Sequence, residues 1–125
     1  MTSSLIRAKM TAALVSKNAP IIIDERLNER NLGIYELKYF SEYDYAKFGN
    51  MNTESNTDGV ETNKEMLERI SGLMEDLKKY SDKTVLLVTH GGLANAINAY
   101  IKSIGENGEI EKIRLGNCEY IEYNI

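Results

Sequence analysis

The stretch Lys83-Thr84-Val85-Leu86-Leu87-Val88-Thr89-His90-Gly91-Gly92-Leu93 constrains this chain more than any other. Thr84 to Thr89 is short, β-branched and leucine-rich without alternation, which predicts a strand buried on both faces, as in a parallel sheet. His90 stands at its end and two glycines follow. Apolar residues then recur at Leu93, Ala96, Ile97, Tyr100, Ile101 and Ile104, a helical spacing. A strand, a tight glycine turn and a helix N-terminus put His90 beside unpaired backbone N–H groups and a positive dipole end. That setting suits an anion, above all a phosphate. A lone histidine at a strand end is also an ordinary structural residue. The pair Gly91 and Gly92 favours the functional reading, because glycines let a ligand approach the backbone closely.

The chain opens almost directly on a helix, with Ser3 as its cap and Leu5, Ala8, Ala12 and Val15 on one face. Asn18 and Pro20 end it, and Ile21-Ile22-Ile23-Asp24 reads as a short strand. In α/β proteins a first helix normally crosses over from a preceding strand, and no residues are left for one here. The chain reads as starting one strand late. Glu25 to Glu36 is dense in charge and broken by Gly33, so it is a loop, either solvated surface or the rim of a site at a strand end. Leu37 to Phe48 is weakly helical, with Tyr39, Tyr43 and Phe48 as packing or lid residues. Gly49 to Gly59 reads as a polar, mobile loop. Thr62-Asn63-Lys64-Glu65 matches a capping box. Met66, Leu67, Ile70, Leu73, Met74, Leu77 and Tyr80 follow as an amphipathic stripe, the methionines filling core. Ile110–Leu115 and Glu119–Asn124 alternate apolar and polar around Gly116-Asn117, as a hairpin or as two separate strands.

At 125 residues, 42% hydrophobic and 27% charged, the chain is predicted to form one α/β domain over residues 1–125. A net charge of −4 without a basic stripe argues against nucleic acid. No apolar run reaches spanning length and no signal peptide opens the chain, so no membrane is implied. One cysteine, Cys118, forms no internal disulfide and builds no metal cluster, which predicts a cytoplasmic location with no metal or cofactor.

Taken in order, these pieces resemble the histidine phosphatase superfamily, the phosphoglycerate mutase-like family. Ser3-Ser4-Leu5-Ile6-Arg7-Ala8-Lys9-Met10-Thr11-Ala12 is similar to its Ser-Pro-Leu-x-Arg-Ala-x-x-Thr-Ala segment, with Ser4 in the proline's place. Leu27-Asn28-Glu29-Arg30-Asn31-Leu32-Gly33 resembles Leu-x-Glu-x-x-x-Gly, its Glu-Arg pair being closest to the mutase branch. Gly59-Val60-Glu61-Thr62 resembles the start of the long helix. Val88-Thr89-His90-Gly91-Gly92 resembles the second catalytic histidine motif, and Gly116-Asn117-Cys118 the late Asn-Cys strand. The resemblance implies a three-layer α/β/α sandwich and phosphoryl transfer to or from a small phosphorylated substrate or inorganic phosphate. Arg7 would bind the phosphoryl group, with Arg30 and Gly91 as further substrate contacts. Glu29 would serve as general acid and base, and His90 would polarise the phosphoryl oxygens.

One departure dominates. The family's nucleophile is a histidine in an Arg-His-Gly motif ending its first strand, and this sequence has one histidine, which matches the second motif. The resemblance therefore implies an N-terminally truncated phosphatase or mutase, inactive alone. Loss of the segment, a late start codon and a split gene are equivalent at this level. Two other readings stay open: a non-catalytic phosphate-binding or interaction module derived from that fold, and an unrelated α/β binding domain in which Arg7, Glu29 and His90 are structural. The absent strand also predicts self-association through an exposed sheet edge.

Overall fold

The computed structural model of the chain describes residues 1–43, 58–102, 113–116 and 119–124. Its helices are α1 (Ile6–Val15), α2 (Asn63–Leu77) and α3 (Gly91–Lys102), with 3-10 turns at Glu25–Leu27, Gly33–Tyr35, Phe40–Glu42 and Lys78–Tyr80. The expected Gly49–Gly59 loop falls largely outside these residues, as do Phe48, Ile104, Asn117 and Cys118.

The N-terminus departs from the sequence expectation. Residues 1–3, too few to carry any periodicity, lie extended between the two predicted strands. Thr2 forms parallel bridges to both Ile23 and Val88. The Thr2 N–H donates to Ile22 O at 2.8 Å, and the Asp24 N–H to Thr2 O at 2.9 Å. On the other side Ser3 N–H donates to Val88 O at 3.2 Å, Val88 N–H to Met1 O at 3.0 Å, and the Met1 ammonium to Leu86 O at 2.6 Å. The first helix therefore does follow a piece of parallel pairing, and residues 1–3, α1 and residues 21–24 make a β-α-β crossover in miniature.

The Thr84–Thr89 segment is a correction of a different kind. It is extended and parallel to its neighbour, but it is not buried on both faces. Val85 and Leu87 pack on the core while Leu86 is 50% exposed. Among the described residues its backbone pairs only with residues 1–3. A strand paired along one edge and covered on one face alternates, whatever its composition. Pairing among the described residues consists of isolated bridges, the third joining Leu32 and Val60 in antiparallel fashion. The three-layer sandwich is thus not built out by these residues, and residues 113–116 and 119–124 carry no strand.

α2 forms as its sequence dictates. The Thr62 hydroxyl accepts the Glu65 N–H at 3.1 Å while the Glu65 carboxylate accepts the Thr62 N–H at 2.8 Å, closing the capping box. Met66, Ile70, Leu73, Met74 and Leu77 are buried and meet Leu93, Ala96 and Ile97 of α3 in one cluster. Burying each such side chain contributes about 1.5–3 kcal/mol. Leu27, within the charge-dense segment, is fully buried in the same cluster. Asp24 positions it by accepting the Arg26 N–H and starting the Glu25–Leu27 turn.

α1 behaves otherwise. It buries only Ala8 and Ala12, with Val15 48% exposed. Its N-cap is Leu5 without a side-chain cap, so Ser3 is not the cap expected of it. No helix among the described residues is long and apolar enough to cross a membrane.

Candidate functional site

Arg7, Glu29 and His90 meet where α1, the turn after Leu27 and the start of α3 converge. His90 ends the extended segment, is buried, and its carbonyl accepts the Ala94 N–H to open α3. The Arg7 Nε–H donates to His90 Nδ1 at 3.2 Å, and His90 Nε2 lies 2.9 Å from Ser3 Oγ. Both ring nitrogens are thus held by the chain itself. Burial, then the Arg7 guanidinium, push the His90 pKa below its ordinary value, and the Glu29 carboxylate pulls the other way. An imidazole in this state orients a guanidinium.

Glu29 occupies the place expected for an external anion. Its carboxylate accepts Gly92 N–H and Leu93 N–H at 3.0 Å each, and its own neighbour Arg30 N–H at 2.9 Å. The N-terminus of α3 is therefore capped by a charge from within the chain, the arrangement its dipole favours. The close approach runs through Gly92, where a Cβ would stand 2.6 Å from Glu29 Oε1. At Gly91, the glycine expected to contact substrate, a Cβ would meet nothing within 4 Å.

Arg30 is drawn away from this corner. Its Nε donates to Glu61 O at 2.7 Å, tying the turn to the approach of α2. Burial lowers its pKa, with Glu61 and Glu29 opposing. Arg69 completes that tie, donating from Nε to Glu61 Oε1 at 2.5 Å and from Nη1 to Arg26 O at 2.5 Å. Beside these contacts lies an open cavity of about 440 Å³ whose lining includes Glu25, Glu29, Glu61, Glu65 and Arg69. Four carboxylates against one guanidinium repel a phosphate. Among the described residues, no group of three or more His, Cys, Asp or Glu side chains is arranged to hold a metal.

Two residues at this corner carry more than their sequence suggests. Local pattern offers Ser3 as a cap and gives Asn28 no role between Leu27 and Glu29. Asn28 Oδ1 instead accepts from Ser3 Oγ at 2.8 Å, Ser4 N at 2.8 Å and Ser4 Oγ at 3.0 Å. Both lie in motif segments, which is the available signal.

The family described as the histidine phosphatase superfamily (branch 1) matches residues 1–125. The chain is 33% identical over 107 residues to "Putative phosphoserine phosphatase 2" of Hydrogenobacter thermophilus, covering 79% of this chain and 53% of that protein. It thus spans about half the length of that curated relative. Among solved structures it is similar to "Mycobacterial hydrolase 1", with a TM-score of 0.60 at 24% identity over 82% of this chain and 56% of the other. It is also similar to a mutant of a Thermus thermophilus protein, TTHB049, with a TM-score of 0.61 at 25% identity over 90% and 61%.

Proposed function

Because this chain belongs to the histidine phosphatase superfamily, we propose that its Arg7–His90 corner binds the phosphoryl group of a small phosphomonoester. The observation that carries this reading is the Arg7 guanidinium anchored through Nε to His90. The anchor leaves both terminal amino groups of Arg7 for a bidentate contact with phosphoryl oxygens. Similarity to a protein named for phosphoserine supports the phosphomonoester class, with hydrolysis ahead of mutase chemistry. Glu29 is the general acid and base of this reading once it leaves the α3 N-terminus, a step that frees two N–H donors for the substrate. The site belongs to a single domain of the three-layer α/β/α type that works in the cytoplasm.

In this family the phosphoryl group passes through a phosphohistidine, and the one histidine here is held at both nitrogens. His90 also flanks the anion site, whereas in-line attack needs a nucleophile opposite the leaving oxygen. The chain alone therefore binds phosphate and turns esters over negligibly. The same observation favours the second reading, a phosphate-binding or interaction module without catalysis.

The test is isothermal titration with inorganic phosphate beside hydrolysis of an aryl phosphate at pH 6–7. Weak binding that Arg7→Met reduces about tenfold or more, with no turnover above background, is the expected pair. Turnover abolished by His90→Ala would make His90 the nucleophile. Phosphate binding unchanged in Arg7→Met would place the anion elsewhere.

A further inference from the structure

The proton on His90 can be assigned by following hydrogen bonds inward from a group whose chemistry is fixed. The Ser4 backbone N–H only donates, and it points at Asn28 Oδ1 from 2.8 Å. A flipped amide would set two donors against each other, so the oxygen of Asn28 faces this corner. That oxygen only accepts, and the Ser3 hydroxyl donates to it from 2.8 Å beside the Ser4 N–H and the Ser4 hydroxyl at 3.0 Å. Ser3 Oγ then has lone pairs alone to offer. One accepts the Leu5 N–H at 3.1 Å, and the other faces His90 Nε2 at 2.9 Å. Nε2 must therefore carry a proton. From the opposite side the Arg7 Nε–H, a pure donor, meets Nδ1 at 3.2 Å, so Nδ1 must hold a lone pair. The Arg7 contact requires this tautomer of a neutral ring, and the Ser3 contact fits it.

The geometry points to Ser3 and Asn28 as positioning residues that lock His90 into the neutral Nε2–H tautomer and thereby aim Arg7. Ser3 is fully buried, so no water competes for its hydroxyl. The charged groups facing the ring are Arg7 and Glu29, and burial with Arg7 already favours the neutral form. The inference rests on the phosphate-binding reading only for what the aimed guanidinium grips. The tautomer itself does not depend on it.

The chain's single histidine makes the test clean. A ¹⁵N–¹H multiple-bond spectrum of the 125-residue chain at pH 7, without phosphate, reports His90 alone. One species with Nε2 protonated and Nδ1 bare is expected. An Nδ1–H form, an even mixture, or an imidazolium at pH 7 would overturn the proposal, and this wild-type measurement needs no variant to fold. In Ser3→Ala the Nδ1–H form should rise to a readable share. An unchanged spectrum would mean that Arg7 sets the tautomer unaided and would remove Ser3 and Asn28 from the role. Adding inorganic phosphate separates the two claims. A correct tautomer whose signals ignore saturating phosphate would sink the binding site and leave the relay standing.

Discussion

His90 makes folding sensitive to pH in a direction that its surroundings decide. Its pKa in the folded chain lies below the ordinary 6.5, through burial and the Arg7 charge. The unfolded chain then binds more protons just below pH 6.5, so stability rises with pH there. The contribution is fully present above 6.5 and is lost as pH falls through the lowered value. The Met1 ammonium, pushed below its ordinary 8.0 by burial, acts with the same sign at higher pH. Asp24, held low first by its hydrogen bond to Arg26, is lost only below 3.8 and lies outside this window. Urea midpoints should therefore climb from pH 5.5 to pH 8, and more shallowly in His90→Phe. A profile that is flat or falls over that range would contradict the neutral, buried imidazole.

At the scale of elements, the two glycines opening α3 look equivalent in sequence, and the fold separates them. A Cβ at Gly91 meets nothing within 4 Å, whereas one at Gly92 runs into Glu29 Oε1 at 2.6 Å. Gly91→Ala should leave thermal stability within about 0.5 kcal/mol of the parent, since the position is exposed. Gly92→Ala should cost about 0.5–2 kcal/mol, because the added methyl must push the carboxylate off the α3 N-terminus that it caps. Thermal melts of the two variants decide it, and equal melting temperatures would show that Glu29 moves aside without cost.

At the scale of the whole molecule, the described residues expose apolar side chains on α1 and on the extended segment. Ile6, Met10 and Leu14 of α1 are spaced one turn apart and are 69%, 62% and 83% exposed, and Leu86 is half exposed on the extended segment. Exposed apolar surface of this extent favours association. Sedimentation velocity should show the weight-average mass rising with concentration, and Met10→Glu with Leu14→Glu should suppress the rise. A monomer at every concentration would remove self-association from the picture.

What the sequence determined by itself was whatever a local signal encodes. The α2 stripe and its capping box depend on spacings within one helix, and they form where Thr62, Glu65 and the residues from Met66 to Leu77 place them. The ordered motif segments around Arg7, Glu29 and His90 were legible for the same reason, since each is a short run of neighbours. Tertiary structure alone decided the rest. Residues 1–3 become sheet only because Ile22 and Val88 offer backbone partners on either side, and three residues have no period to read. From Thr84 to Leu87 burial alternates, and among the described residues the segment's backbone pairs with residues 1–3, a matter of neighbours and not of composition. Whether Glu29 or a ligand holds the α3 N-terminus, and which nitrogen of His90 carries the proton, follow from groups 63 and 87 positions apart in the chain. Hydrogen bonds at such separations exist only once the chain has folded.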